Sequence, residues 1–563
     1  MIKVDKARLR RLGILVPVFS LRRDGDLGVG DTYAMREMVD WAAEHRIGFL
    51  QLLPINETGS DNSPYNAISS VALDPLLLDL ESIPEVDIEQ IRQAAERYQV
   101  SEEEEHLVDY EQSNALKWEL LAEAFEKFWQ SSANDVSSFE EFCRQEADWL
   151  VPYAKFRYLM ELAGTEKWET WPVEYGSADR AEVFFASMDS EELRKHLAYY
   201  EWIQWHAFTQ WRELRDYASE RDVKLMGDIP IGISYCSADV FFESEWFDLT
   251  RAGGSPPETV FKDDAFACQW GQNWGIPLYD WDVLEKDDYT WWRRRIEKLT
   301  DVFHIFRIDH ILGFYRIYSF PWRPERNQEF VGLTEEEAKK ITGGPLPKFF
   351  PRPDDTEENK AANLADGDKY LKVILEAAGD GEVVGEDLGC VPDYVRPHLE
   401  RMGIAGFKIC HWETQYDGCV VPGDVYPECA FTTYATHDHE SIPALWNTLK
   451  IMLDGPDRGG ALRGLSLLSE FAGLPCREVE ESFPVYGPVV KWALFDRLLK
   501  SRADYAALMI TDVIDSTRRI NIPGTVGGEN WRYRLPWKLE DMPQDMRHEW
   551  RKLAELVRIS HRG

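Results

Sequence analysis

The sequence predicts an α/β fold of the (β/α)8 TIM-barrel type. Short, largely apolar runs recur along the chain, and most of them end in a polar, acidic or proline residue. Runs of roughly four to eight apolar residues without alternation are typical of strands buried on both faces, as in parallel sheets. Stretches with helical spacing separate most of these runs, so the pattern predicts a closed barrel. The eight predicted strands are residues 14–19, 49–53, 224–229, 304–309, 382–387, 405–409, 431–436 and 508–513.

A helix is predicted between the first two strands, because apolar residues recur at helical spacing in residues 32–45. The gap between the second and third strands is much too long for one crossover. Residues 95–215 contain further predicted helices, and we interpret them as a helical subdomain inserted into a barrel loop. These helices are residues 114–129, 139–162 and 191–217.

Two more helical stretches, residues 289–302 and 369–378, lie between the later strands. Together these elements predict that residues 1–563 form one barrel domain with inserted helices. About 25 residues follow Trp537, which is fewer than a separate domain requires. We therefore expect no β-sandwich domain after the barrel.

The charge of the chain restricts its partners. Lys and Arg total 63 against 100 Asp and Glu, which gives a formal net charge of −37. A surface of this sign repels phosphate backbones and anionic membranes, so we expect no nucleic-acid or membrane partner. The chain also contains 22 Trp, 23 Tyr and 27 Phe residues. Aromatic rings stack on neutral amphipathic ligands such as sugars, although they also fill ordinary cores.

The cysteines and the N-terminal residues indicate a cytoplasmic protein. None of the 8 cysteines has CxxC spacing, so they are interpreted as scattered reduced thiols. The N-terminus is charged but is not followed by an apolar segment of signal-peptide length. No run reaches about 18 apolar residues, so no membrane span is predicted.

Acidic side chains follow the ends of several predicted strands. In a TIM barrel the carboxyl ends of the strands meet at one mouth, where catalysis takes place. Several carboxylates around one cleft suit cleavage of a glycosidic bond, in which one acid protonates the departing oxygen and a second carboxylate attacks the anomeric carbon. The strand-end residues are Asp228, Arg307, Asp309, His310, Glu386, Asp387, His437 and Asp438.

The spacing of these residues adds two expectations. Arg307 lies two residues before Asp309, so both side chains share one strand face, and the positive charge keeps Asp309 ionised. Asp387 faces away from Glu386 and is interpreted as a structural anchor. His437 and His439 resemble a metal pair, but no cysteine or third histidine lies at ligand spacing, so neither a metal nor another cofactor is predicted.

Seven motifs in order from residue 14 to about 535 resemble the α-amylase superfamily, and more closely the amylomaltase or disproportionating-enzyme family, glycoside hydrolase family 77. The motifs are Leu53-Pro-Ile-Asn with Ser63-Pro-Tyr-Asn and Asp74-Pro-Leu-Leu-Leu-Asp-Leu; Gly227-Asp-Ile-Pro-Ile; Gly271-Gln-Asn-Trp-Gly-Ile-Pro-Leu-Tyr; Phe306-Arg-Ile-Asp-His; Gly385-Glu-Asp-Leu-Gly; Thr436-His-Asp; and Arg519-Ile-Asn-Ile-Pro-Gly-Thr.

The resemblance implies a 4-α-glucanotransferase that moves α-1,4-glucan segments or glucosyl units between malto-oligosaccharides by a retaining double displacement. Asp309 resembles the nucleophile, Glu386 the general acid and base, and Asp438 the third carboxylate. Further residues resemble those that bind the substrate, namely Asp228, Arg307, His310 and His437 around the reacting sugar, Tyr65 and Trp274 as aromatic platforms, and Asn521 on the acceptor side. The resemblance also implies that residues 250–280 form a loop that carries Trp274 and covers the cleft.

One loop departs from the family pattern. Where the family often has Pro-Pro-Asp-Tyr-Phe, this chain has Pro256-Pro-Glu-Thr-Val-Phe followed by extra residues through Gln269. Glu258 is a candidate replacement for the acidic residue. The residues after His310 are more similar to the plant cytosolic branch of the family than to ordinary bacterial amylomaltases, which leaves the choice of donor and acceptor open.

Two other functions use the same residues. An α-1,4-glucan hydrolase of the α-amylase type has the same carboxylates, and only the short segment after Trp537 argues against it. A non-catalytic glucan-binding protein is the third hypothesis, and the presence of all three matching carboxylates argues against that.

Overall fold

The computed structural model describes residues 10–131, 136–188, 190–258, 264–475 and 483–563. Eight parallel strands form a closed barrel in the order β1-β12-β11-β10-β9-β6-β3-β2, which confirms the predicted fold class. These strands are β1 (Arg11–Leu15), β2 (Phe49–Gln51), β3 (Lys224–Ile229), β6 (Ile305–Ile308), β9 (Glu382–Gly385), β10 (Ala405–Ile409), β11 (Ala430–Thr433) and β12 (Tyr505–Met509).

A second, four-stranded sheet has the order β5-β4-β7-β8 and antiparallel pairing. Its strands are β4 (Phe247–Ser255), β5 (Gln272–Tyr279), β7 (Ile317–Phe320) and β8 (Lys348–Phe350). The first pair follows β3 and the second pair follows β6, so both leave the barrel at the carboxyl ends of its strands. Residues 250–255 and 272–279, which fall within the predicted loop 250–280, therefore belong to this sheet. The action of residues 250–280 as a lid stays a prediction.

The helices surround the barrel or extend from it. In the described part of the chain they are α1 (Thr32–Glu44), α2 (Ile88–Arg97), α3 (Tyr110–Gln130), α4 (Val136–Gln145), α5 (Ala147–Ala163), α6 (Ala178–Ser187), α7 (Glu191–Ser219), α8 (Ala238–Phe242), α9 (Ala265–Trp270), α10 (Trp281–Lys286), α11 (Thr290–Thr300), α12 (Glu335–Thr342), α13 (Glu357–Ala378), α14 (Val395–Met402), α15 (Ile442–Met452), α16 (Arg458–Ala472), α17 (Pro488–Lys500), α18 (Ile510–Val513) and α19 (Gln544–Ile559). None of these helices has the length and apolarity that crossing a membrane requires.

The predicted strands all exist, but two of them are displaced. Residues 14–19 and 508–513 were predicted, whereas β1 and β12 pair at Arg11–Leu15 and Tyr505–Met509. The buried residues Ile510–Val513 instead form α18, where the side chain of Asp512 accepts a hydrogen bond from the N–H of Met509 (2.9 Å). A buried strand and a buried short helix have the same apolar pattern, so the pattern could not separate them.

The helices α3 to α7 lie between β2 and β3, where an inserted subdomain was predicted. The predicted helix 139–162 is two helices, α4 and α5, with a break at Glu146. The long helix α7 packs along the barrel, and its Gln210 accepts a hydrogen bond from Thr32 of α1 (2.7 Å). Whether this insertion forms an independent subdomain stays a prediction.

The barrel interior is apolar below its mouth. A continuous cluster of buried side chains from seven of the eight barrel strands fills it, which is the packed core expected of this fold. The cluster consists of Phe49, Met226, Ile305, Val384, Ala405, Phe407, Ile409, Phe431, Tyr505 and Ala507. The polar residues at the strand ends therefore lie next to this packed apolar core.

Candidate active site

The carboxyl ends of β3 and β6 bring three of the predicted site residues into one network. Asp228 and Arg307 are direct partners in the strand register. Nη1 of Arg307 donates to both carboxylate oxygens of Asp228 (2.7 and 2.6 Å), and Nη2 donates to Oδ1 of Asp309 (2.6 Å). The hydroxyl of Tyr65 donates to Oδ2 of Asp228 (2.6 Å). One guanidinium thus holds two carboxylates at fixed positions.

Burial separates the two carboxylates that Arg307 holds. The side chains of Asp228 and Arg307 are 0% and 4% exposed, whereas that of Asp309 is 28% exposed. Burial alone would lower the pKa of Arg307, but the charges of Asp228 and Asp309 raise it above its ordinary value. The guanidinium therefore stays charged, and it is paired with a carboxyl group of Asp309 that remains partly exposed.

Glu386 follows β9 and is held by main-chain donors. Its Oε2 accepts from the N–H of His310 and its Oε1 from the N–H of Leu388, both at 2.8 Å. Burial and the nearby charge of Asp309 raise the pKa of Glu386 to about 8, against the opposing effects of Arg307 and the two N–H groups. Glu386 therefore retains its proton near neutral pH, which is the state of a general acid.

His310 links Glu386 to Trp274. The backbone of His310 is left-handed (φ 48°), and this conformation directs its N–H to Glu386. The imidazole meets the indole of Trp274 edge to face, with the ring centroids 4.8 Å apart. Burial lowers the pKa of His310 to about 4, so the ring is neutral near pH 7. The Trp274 side chain is partly exposed, as a surface that contacts a ligand requires.

Asp438 lies beyond the end of β11, and Asn521 orients it. Nδ2 of Asn521 donates to Oδ1 of Asp438 (2.6 Å), and Nε2 of His437 lies 3.4 Å from the same oxygen. Burial would raise the pKa of Asp438, but His437 and the hydrogen bond from Asn521 lower it below its ordinary value. Asp438 is therefore ionised near neutral pH.

Two aromatic rings complete this side of the mouth. Tyr65 stacks on His437, with the ring centroids 5.2 Å apart and the planes at 19°. Trp531 contacts both rings, at 5.7 Å from each. The ring of Tyr65 is therefore held by stacking on His437, and its hydroxyl is held by Asp228. All ten predicted site residues take part in these contacts, which form two groups. Glu386, His310 and Trp274 make up one group, and the charge of Asp309 in the other group acts on Glu386.

A family model for 4-alpha-glucanotransferases, glycoside hydrolase family 77, matches residues 16–540. The chain belongs to this family. A 4-alpha-glucanotransferase of Chlamydia pneumoniae is 29% identical over 546 residues, which cover 94% of this chain and 92% of the relative. One from Oryza sativa subsp. japonica is 34% identical over 323 residues, or 55% of this chain and 32% of the rice protein. The amylomaltase from Streptococcus agalactiae, solved in complex with acarbose, shares the fold with a TM-score of 0.77 and 24% identity over 98% of this chain and 100% of that chain.

Membership of glycoside hydrolase family 77 confirms the resemblance drawn from the motifs. This chain is an enzyme of the transglycosidase kind, and the family does not favour the hydrolase alternative. Among the described residues, no group of three or more His, Cys, Asp or Glu side chains is arranged to hold a metal ion.

Sequence reasoning missed two tryptophans at the mouth of this glucanotransferase. Trp412 lies just beyond β10, is 48% exposed and meets the ring of His439 at 5.1 Å. Its position just after a predicted strand could have indicated that it lies at the barrel mouth. Trp531 had no such signal, because it reaches Tyr65 and His437 only through a long-range contact.

Two other predictions concern residues beside the catalytic cluster. Asp387 is buried and bound to Nε of Arg396 (2.9 Å) and to the N–H of Phe407 (2.5 Å), as expected of an anchor. Glu258 lies beside the loop after Glu386, since a Cβ atom built at Gly389 would be 3.5 Å from its Oε1. Residues 259–263 of the altered loop lie outside the described residues.

Proposed function

We propose that this chain is a retaining 4-α-glucanotransferase that transfers α-1,4-glucan segments or glucosyl units between malto-oligosaccharides. One observation carries the assignment of roles. Two carboxyl groups at neighbouring strand ends have opposite environments, because Asp309 is paired with Arg307 while Glu386 is buried with a pKa of about 8. A pair of carboxyl groups of this kind is what double displacement requires.

In the first step, Glu386 donates its proton to the bridging oxygen of the donor glucan as Asp309 attacks the anomeric carbon. The glycosidic bond breaks, the shortened glucan leaves with the proton as a free hydroxyl, and the glucosyl group is bound covalently to Asp309. Arg307 binds Oδ1 of Asp309 and holds this carboxyl group in place at the start of the step.

In the second step, Glu386 is ionised and acts as a base. It takes the proton from a hydroxyl group of an acceptor glucan, whose oxygen attacks the anomeric carbon and releases Asp309. The two inversions retain the anomeric configuration. Both carboxyl groups return to their starting protonation states, so the cycle consumes no co-reactant.

Asp438 is proposed as the third carboxylate. Its lowered pKa supports an ionised side chain close to the positive charge that develops on the sugar ring. Asp228, Arg307, His437 and Asn521 hold the carboxylates and are proposed to bind the hydroxyl groups of the reacting sugar.

Transfer requires that an acceptor glucan displaces water at the covalent intermediate. Trp274 and Tyr65 are proposed as aromatic platforms for the sugar rings, and residues 250–280 as a cover over the cleft. The contact between Trp274 and His310 supports this proposal, because it brings the indole next to the residue that binds Glu386. Trp412 is proposed as a further surface for glucan.

We also propose a cytoplasmic location, in which the enzyme acts on glucans of starch or glycogen metabolism. The thiols of Cys143, Cys236, Cys390, Cys410 and Cys419 form no disulfide, which suits a reducing compartment.

Product analysis with maltotriose tests transfer against hydrolysis. Transfer produces malto-oligosaccharides longer than maltotriose and leaves the number of reducing ends constant, because each bond broken is replaced. Chromatography combined with a reducing-end assay measures both. Formation of glucose and maltose alone, with a matching rise in reducing ends, would contradict the proposal.

A further inference from the structure

Trp274 rests on the segment that follows β7. The side-chain amide of Asn273 donates to the carbonyl oxygen of Trp322 (3.0 Å). Gly275 has a left-handed backbone (φ 76°), and a Cβ atom at this position would lie 2.9 Å from Cγ of Pro324. The residues on both sides of Trp274 are therefore supported by the segment around Trp322 and Pro324.

Arg323 lies inside this supporting segment, and three side chains fix its guanidinium group. Nη1 donates to Oε2 of Glu169 (2.5 Å), and Nη2 donates to Oε1 of Glu325 (3.0 Å). Its Cζ atom lies 3.9 Å from the ring centroid of Tyr235. Glu169 belongs to the helical insertion between β2 and β3, and Tyr235 to the loop after β3. Arg323 thus joins the second sheet to two other parts of the molecule.

Trp168 supports the same contact from the insertion. Its ring stacks on that of Tyr235, with the centroids 5.3 Å apart and the planes at 8°. Its Nε1 donates to the carbonyl oxygen of Tyr235 (2.9 Å), and the Tyr235 hydroxyl donates to Oε1 of Glu169 (3.2 Å). We name Trp168, Glu169, Tyr235 and Arg323 the Arg323 clasp.

The insertion also contacts the loop that carries Tyr65. The hydroxyl of Ser60 donates to Oε1 of Glu166 (2.7 Å), three residues before Glu169. The short segment from Glu166 to Glu169 therefore contacts Ser60, which lies five residues before Tyr65, and Arg323, which lies between the two residues that support the neighbours of Trp274.

We infer that Arg323 is a positioning residue, which sets the place of Trp274 over the cleft by binding the second sheet to Glu169 and Tyr235. This inference rests on the proposed function, because it assigns Arg323 a role only through Trp274. Arg323 is suited to it because a planar guanidinium can bind a carboxylate and stack on a ring at the same time, which a lysine ammonium cannot reproduce.

Release of the clasp has a specific consequence. Without the charge on Arg323, the segment around Pro324 loses its link to the insertion, and Trp274 loses a fixed support. A displaced platform binds the acceptor less well and admits water to the covalent intermediate. Acceptor binding and the ratio of transfer to hydrolysis are therefore affected more than the rate of the chemical step.

Arg323→Gln tests the inference, with Arg326→Gln as the matched control. Arg326 lies three residues further along, inside the short 3-10 helix Pro324–Glu329 that begins directly after Arg323, and it forms an exposed ion pair with Glu329. With glucose as acceptor and a constant maltotriose concentration, Arg323→Gln is expected to raise the acceptor KM about tenfold, lower kcat less than about threefold and increase hydrolysis. Arg326→Gln is expected to stay within about twofold of the parent. Glu169→Gln, on the other side of the clasp, is expected to act like Arg323→Gln and serves if that variant does not fold.

A double-mutant cycle with Trp274→Ala distinguishes positioning from a general structural effect. If Arg323 acts through Trp274, Arg323→Gln adds no further change in acceptor KM to Trp274→Ala. Independent, multiplying effects, or unchanged kinetics in both Arg323→Gln and Glu169→Gln, would overturn the inference. The proposed function is tested separately: it fails if the parent enzyme makes no malto-oligosaccharides longer than maltotriose. The proposed platform role of Trp274 fails if Trp274→Ala alone has no effect.

Discussion

The two ends of the barrel carry clusters of the same chemical composition, each with an arginine, a carboxylate and a tyrosine hydroxyl. At the mouth, Arg307 and Tyr65 bind Asp228. At the opposite end, Nη1 of Arg11 donates to both oxygens of Glu382 (3.1 and 2.8 Å), and the hydroxyl of Tyr505 donates to the same carboxylate. These last three residues lie at the starts of β1, β9 and β12.

The two clusters differ in the number of carboxylates that the arginine is shown to bind. Arg307 is 4% exposed and binds a second carboxylate, Asp309, which stays partly open to the cleft. Arg11 directs one nitrogen to the two oxygens of Glu382, whose side chain is 36% exposed. The comparison teaches that residue types alone do not make a catalytic cluster. At the carboxyl ends of the strands, the second carboxylate stays partly exposed, and this is the group proposed to react.

The strongest test of this difference is Asp309→Asn at the mouth. Without a nucleophile the covalent intermediate cannot form, so maltotriose disproportionation should fall by about 10⁴-fold or more. Calorimetric titration with maltotriose should still detect binding, because the surrounding network is retained. Substantial remaining turnover in the folded variant would refute the assignment of the nucleophile.

A smaller loss is expected for Glu386→Gln, together with a changed pH profile. Removal of a general acid lowers the rate by about 10²–10⁴-fold. The proposed role requires the acid form of Glu386, whose pKa is raised to about 8, so kcat/KM of the parent enzyme should fall as the pH rises through that value. The glutamine variant should lack this decline between about pH 6 and about pH 10. A parent profile that is flat through pH 8 would show that another group acts as the acid.

The smallest effect is expected at the opposite end of the barrel, for Glu382→Gln. The cleft is distant, so disproportionation should stay within about twofold of the parent. Loss of the charged partner of Arg11 should lower the free energy of unfolding by about 1 kcal/mol, measured by chemical denaturation. If activity fell strongly while the protein remained folded, the contrast between the two ends would not hold.

Much of the fold followed from the sequence, because strands buried on both faces produce apolar runs. Lys224–Ile229 and Ala405–Ile409 match the predicted strands residue for residue. The second sheet was missed, since β4 contains Arg251, Gly253 and Gly254 and lacks both a continuous apolar run and regular alternation. Strands inserted into barrel loops pair with each other over long sequence separations, and a single sequence does not record such pairing.

The site was predictable where its residues follow strands directly. Asp228, Asp309 and Glu386 lie at or just after the ends of three barrel strands, so the barrel geometry predicts that they meet. Trp531 and the Arg323 clasp were not predictable, because they depend on how loops and the helical insertion fold back over the mouth.

The hydrogen bonds from the main chain to the carboxyl group of Glu386 have a consequence for redesign of the enzyme. The two groups that orient this carboxyl are the N–H groups of His310 and Leu388. Apart from proline, any amino acid placed at position 388 would present the same donor. A mutant library that varies the side chain at position 388 to change the accepted sugars can thus leave the proposed proton donor, Glu386, in its present orientation.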